Sequence, residues 1–122
     1  MATLEDKQEK GARNQSLFRD VNEKIEELTG AQALPTTERW DFLCECANRD
    51  CTATMSLTMD EYEAVRRVPT HFPILVGHDD SGIERVVHEN DRYAVVEKFG
   101  VAGKLAVTLD PRRRMFPESP TT

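Results

Sequence analysis

The 122-residue chain contains no long hydrophobic run, only 7% aromatic residues and no surplus of basic charge. Each shortage excludes a class of function. Without an apolar stretch of about 20 residues, no membrane-spanning helix is expected. The opening MATLEDKQEKGARNQS is too charged for a secretory leader. A cytoplasmic protein without a membrane partner is therefore expected. Lys and Arg number 16 against 22 Asp and Glu, and the net charge of −6 argues against nucleic acid as a partner, because phosphate binding needs neutralising cations. Phosphate-cradling glycine loops, dinucleotide glycine patterns and nucleophile elbows are also missing, so no enzymatic activity is expected.

Cysteine is scarce and concentrated. Cys44, Cys46 and Cys51 form a C-x-C-x4-C cluster, and they are the only cysteines in the chain. An odd, tight set in a reducing compartment fits metal ligation better than a disulfide framework. Trp40, Phe42, Cys44 and Cys46 alternate with Asp41, Leu43 and Glu45, so a strand would aim both thiols to one side. Asn48, Arg49 and Asp50 supply turn chemistry, and Ala53, Met55 and Leu57 alternate as a returning strand. The spacing predicts a hairpin with thiols on both arms.

Three thiolates and one nitrogen make a tetrahedral zinc set, and His71, His78 and His88 are the candidates for the nitrogen. His78 follows Gly77 at the head of a loop, where the backbone can turn the ring toward the hairpin, and it is the favoured fourth ligand. The plainer alternatives are a loop histidine bonded to Asp79 or Asp80, and three inert thiols. An iron–sulfur cluster is the soft-ligand rival, although the usual C-x2-C spacings are absent. A Cys3His set fills the zinc coordination sphere and leaves no position for an activated water, which again weighs against catalysis.

The length allows one domain, placed at 15–111 between a tail at 1–14 and a flexible C-terminal tail at 112–122. Leu17, Phe18, Val21, Ile25 and Leu28 form an apolar stripe that predicts an amphipathic helix over 16–29. Its solvated face would carry Asp20, Glu23, Lys24, Glu26 and Glu27. A linker with Pro35 follows. Thr58-Met59-Asp60-Glu61 fits a capping box with Leu57 and Tyr62 as its staple, predicting a helix over 58–68 with Arg66 and Arg67 at its dipole end. Phe72 to Val76 reads as an edge strand because of Pro73. Residues 83–89 read as either a short helix or the first arm of a hairpin turning at Asn90-Asp91, with the hairpin favoured. Ala102, Leu105, Ala106 and Leu109 predict a last helix closed by Asp110-Pro111. Arg112, Arg113 and Arg114 read as a solubilising or packing feature, with a phosphate or partner contact as the alternative. The fold class expected is α+β: a small antiparallel sheet with a metal-binding hairpin, packed against two or three helices.

FRDVNEKIEEL, CEC-x4-C, LTMDEYEAVR, GHDD, ERVVHENDRYAVVEK and LDPR together resemble a family of small stand-alone proteins of actinobacterial type with a C-x-C-x4-C…G-H motif. The resemblance spans about Phe18 to Arg112. It implies a metal-type site at Cys44, Cys46, Cys51 and His78 and brings no activity with it. Pro73 departs from the family pattern and puts the regularity of its strand in question. The function expected is a non-enzymatic, zinc-stabilised module that binds a protein partner, with a redox or iron–sulfur sensor as the alternative.

Overall fold

The computed structural model describes residues 4–30, 38–48 and 50–112. Among them are three helices and two small antiparallel sheets, an α+β fold. Helix α1 spans Leu4–Gly30 and is followed by strands β1 (Arg39–Leu43) and β2 (Thr54–Thr58). Helix α2 (Met59–Arg66), strands β3 (His71–Ile74), β4 (Glu84–Glu89) and β5 (Ala94–Lys98), and helix α3 (Gly100–Thr108) complete it. The single sheet expected is in fact two, β1-β2 and β3-β5-β4. Residues 31–37, Arg49 and residues 113–122 lie outside the described residues, and with them the Pro35 linker, Arg113 and Arg114.

Trp40 and Phe42 pair with Leu57 and Met55 across the first hairpin. Phe42 stacks on Tyr62 of α2 with ring centroids 4.5 Å apart and planes 2° from parallel, which carries the hairpin onto the helix. The core joins Phe42, Met55, Leu57 and Tyr62 to Phe72, Ile74, Ala94 and Val96 of the second sheet. Residues 84–89 form the hairpin arm favoured for them. Asn90 closes its turn by accepting from the Arg92 and Tyr93 N–H groups at 2.8 and 2.9 Å. Pro73 lies within β3, at the sheet's outer edge. Within a strand the N–H and C=O of one residue point the same way, so the donor that proline lacks faces away from β5 and costs no ladder bond.

Helix α1 departs most from expectation. Residues 4–14, expected as a tail, are helical. Most of the apolar stripe does not face the core: Ile25 packs against it, but Leu17, Val21 and Leu28 are exposed at 65%, 46% and 66%, while Ala12, Gln15, Ser16, Arg19 and Asn22 are buried. The reason is what the neighbouring segments offer. Arg19 donates to the carbonyls of Pro69 (2.9 Å) and His71, and its guanidinium lies 3.5 Å from the Phe72 ring centroid. Burial lowers the Arg19 pKa to about 10, so it still carries its charge at neutral pH. Polar partners displaced the stripe from the interior.

Two further sequence expectations are corrected by one ion network: Glu23 and Glu26 are not a solvated face, and Arg112 does not begin a flexible tail. Arg66 stands in the last turn of α2, as expected. Arg66 is buried and donates to Glu23 (2.9 Å) and Asp110 (2.5 Å). Arg112 reaches Glu23, Glu26 and Glu63, each at 2.6 Å. These bonds tie α1 to α2 and to the end of α3.

The capping box of α2 is present as expected. Thr58 Oγ1 accepts from the Glu61 N–H at 3.1 Å, and Glu61 accepts from the Thr58 N–H at 2.9 Å. Thr58→Ala should cost about 1 kcal/mol, read as a lowered urea midpoint with unchanged slope. Hydrogen bonds from Arg92 hold the Glu61 pKa down from 4.5 to about 2. A depressed carboxyl stabilises the fold fully above its unfolded pKa and loses that contribution as pH falls toward 2. Glu61→Gln keeps a capping acceptor but loses the ion pair with Arg92. It should therefore melt lower at neutral pH and lose less stability between pH 4.5 and 2 than the parent. Parallel slopes in thermal melts of the two chains would count against this.

Candidate metal centre

Strand β1 ends at Leu43, so Cys44 and Cys46 sit beyond it and not within it. The hairpin continues for one more bond, Cys44 N–H to the Ala53 carbonyl at 2.9 Å. The chain then leaves the ladder as a knuckle over residues 44–51. The knuckle docks on the outer edge of β3: the Glu45 N–H donates to the Pro73 carbonyl at 3.0 Å, and the Leu75 N–H points at Cys44 Sγ at 3.2 Å. A backbone donor aimed at a sulfur stabilises its thiolate form and fixes its direction. Cys51 returns through a turn in which its N–H donates to the Asn48 carbonyl at 3.0 Å, while Asn48 Oδ1 accepts from the Asp50 N–H.

His78 arrives from the other sheet. The His78 N–H donates to the Leu75 carbonyl at 3.0 Å, closing a four-residue turn whose third position, Gly77, has φ 88°. That left-handed conformation suits glycine, and it swings the imidazole back over the knuckle. His78 Nδ1 stands 3.5 Å from Cys44 Sγ and 3.8 Å from Cys51 Sγ. The four ligand atoms of Cys44, Cys46, Cys51 and His78 all lie within 4.8 Å of one another. The other two histidines go elsewhere: His71 Nε2 is 3.1 Å from Glu97, and the His88 ring lies 6.1 Å from that of Tyr93.

With Zn–S about 2.3 Å and Zn–N about 2.05 Å, a tetrahedron has sulfur–nitrogen edges of about 3.5 Å and sulfur–sulfur edges of about 3.8 Å. Two sulfur–nitrogen spacings, 3.5 and 3.8 Å, lie near that figure and all four atoms lie within 4.8 Å of one another, so the donor set can close around a zinc-sized ion. Cys44 and Cys46 are buried and Cys51 is half-buried. Burial pushes the Cys44 and Cys46 thiols well above their ordinary pKa, so loading an ion must release protons. An open cleft of about 430 Å3 lined by Ala47, Asn48, His78 and Asp80 lies against the histidine of the cluster.

The residues that hold this knuckle were not picked out in the sequence. Asn22 of α1 accepts from the Leu43 N–H (2.7 Å) and donates to the Leu43 carbonyl (2.9 Å) and to Glu45 (2.6 Å). Gln15 donates to the Glu45 carbonyl at 2.8 Å and to the Glu84 carboxylate at 3.0 Å. Glu84 in turn accepts from the Asp80 N–H (2.9 Å) and from the buried Lys98 ammonium (2.6 Å). Gln15 therefore braces both ligand-bearing segments at once, the knuckle directly and the His78 loop through Glu84. Burial lifts the Glu45 carboxyl to about 7 against the pull of Arg19, 3.6 Å away. Gly11 permits the close approach: a Cβ there would meet Ile83 at 2.6 Å and Ala47 at 3.3 Å. The available signal was the recurrence of Gly11, Gln15, Asn22 and Glu26 along one helical arc, which the apolar stripe outweighed.

No protein-family model, curated protein or solved structure matches the chain.

Asn22→Ala strips three hydrogen bonds from the knuckle and leaves the Leu43 peptide group without partners. It should cost about 2 to 3 kcal/mol in urea unfolding, whereas Asn14→Ala, which loses one half-buried bond to the Ala47 carbonyl, should cost about 1 kcal/mol or less. Equal losses would show that Asn22 has no special hold on the site.

Proposed function

We propose that the chain is a non-enzymatic, zinc-stabilised module of the cytoplasm that acts by binding a protein partner. Membership of the actinobacterial-type family is part of the same reading. The observation that carries it is the clustering of Cys44, Cys46, Cys51 and His78, whose donor atoms lie within 4.8 Å of one another. Zinc suits that set because it takes thiolate and imidazole together and imposes no geometry of its own beyond the tetrahedron. The role is structural: the ion joins the knuckle of the first hairpin to a loop of the second sheet, and such a tie contributes to folding because the unfolded chain lacks the site. Protein binding is supported by the exposed apolar side chains of α1, which the fold does not use.

Elemental analysis of chain purified without a metal-affinity tag should give one zinc per molecule and a colourless solution. Brown visible absorbance would transfer the site to the iron–sulfur alternative, and a metal-free folded chain would end both readings. A strong chelator should lower the melting temperature, and Cys46→Ser should reproduce that effect. His78→Ala should weaken zinc binding by about tenfold or more in competition titrations, while His71→Ala and His88→Ala leave it nearly unchanged. Equal affinity of the His78 variant and the parent would remove His78 from the coordination sphere.

A further inference from the structure

The four donors of the cluster do not meet solvent alike. Cys44 is 1% and Cys46 2% exposed, whereas Cys51 is half-buried and His78 exposed. Cys51 is therefore the one sulfur of the set that a dissolved reagent can reach directly. The two buried sulfurs also differ from each other. Cys44 Sγ is held from the β3 side by the Leu75 N–H at 3.2 Å. Cys46 Sγ has only a long contact of 3.9 Å with the Asn48 carbonyl, the same oxygen that accepts the Cys51 N–H at 3.0 Å, and it is hydrogen-bonded to the Cys51 sulfur. Cys46 and Cys51 thus meet across one turn, while Cys44 is fixed to the neighbouring sheet.

We propose that Cys51 and Cys46 form a peroxide-sensitive dithiol switch that governs metal occupancy of the cluster. The inference rests on the zinc reading above and adds its regulation. A metal-bound cysteine is a thiolate, the form that attacks a peroxide, and access then selects among the three sulfurs. The Cys51 sulfur attacks one oxygen of hydrogen peroxide, the O–O bond breaks, hydroxide leaves, and Cys51 becomes a sulfenic acid. The Cys46 thiolate then attacks the Cys51 sulfur, the S–O bond breaks, and a second hydroxide leaves. Both hydroxides take up protons as water. Two thiolates have given up two electrons to form one disulfide, and one peroxide has been reduced to two waters. A disulfide is not a zinc ligand, so the donor set falls to Cys44 and His78, too few to hold the ion.

The bracing of the knuckle makes the switch reversible. Asn22 and Gln15 hold Leu43 and Glu45, and the Glu45 N–H donates to the Pro73 carbonyl, all without a cysteine side chain. The His78 loop is likewise tied through Asp80 and Glu84 to Gln15. Joining Cys46 to Cys51 leaves these bonds in place, so the oxidised chain keeps its fold and a dithiol reductant regenerates the site.

Zinc-loaded full chain, treated with hydrogen peroxide in the presence of a zinc indicator and then mapped by mass spectrometry, tests it. Loss of one zinc per disulfide formed is expected. Trypsin cuts after Arg49 and separates Cys51 from Cys44 and Cys46, so the disulfide should appear as two joined peptides, with fragmentation placing the link at Cys46. Cys44 should remain open to alkylation once the chain is unfolded. Dimedone present during oxidation should label Cys51. Urea unfolding of the oxidised chain should stay cooperative, and dithiothreitol with added zinc should restore the full zinc content. Zinc retained through an excess of peroxide, dimedone on Cys44 or Cys46 in place of Cys51, a disulfide that includes Cys44, or an oxidised chain that no longer unfolds cooperatively would each overturn the switch and leave the metal module standing. A chain that holds no zinc before treatment ends the metal reading and the switch together.

Discussion

A backbone that leaves its ladder to present ligands must find other partners for its N–H and C=O groups, and this constraint organises the molecule. The knuckle after Leu43 is such a backbone. Its carbonyls and carboxylate are met by Asn22, Gln15 and Asn14 of α1, and its Glu45 N–H by Pro73 at the β3 edge. A helix that satisfies a loop in this way must bury amides and a guanidinium where an ordinary helix buries leucine. The exposed stripe of α1 is the direct consequence, since a helix has one face to give to the core.

The buried charges are better understood as specifying this arrangement than as driving folding. Arg66 with Asp110 and Glu23, and Lys98 with Glu84, are each desolvated at a cost that their mutual attraction roughly offsets. Removing one partner strands the other, typically at about 3 to 5 kcal/mol, so the Arg66–Glu23 pair weighs against alternative dockings of α1. The first network begins on α1 and ends beyond α3, whereas the second joins β4 to β5 and meets α1 through Gln15. Gln15 joins them to the metal ligands through Glu84 and Glu45, which places four elements under one set of hydrogen-bond geometries.

Much of this was legible in the chain because the signals are local. The α2 capping box depends on residues three positions apart, the Asn90 turn on its own side chain, and Gly77 on a single backbone angle. The compact cysteine spacing picked out three candidate ligands and the glycine before His78 the fourth over two rivals, and these four side chains do come together. Strand parity, by contrast, had Cys44 and Cys46 within β1, and the chain departs from the ladder before either. A strand holds its period only while it has a neighbour, and Ala53 is the last residue to supply one.

The sequence by itself pointed to the α+β class, the capped helix, the first hairpin and the four residues that cluster as a possible metal site, from residue types and short spacings along the chain. The tertiary structure alone decided which face of α1 is inside. Periodicity reports that a helix has an apolar stripe, not whether a better polar match waits on the other side. Here the partners of Gln15, Arg19, Asn22 and Glu23 come from Glu45, Pro69, Leu43 and Arg66, between 21 and 50 positions away. Satisfying those groups outweighed the burial of three apolar side chains, because a buried polar group without a partner costs about 1 to 3 kcal/mol while an exposed leucine forgoes a similar gain without penalty to the rest of the fold.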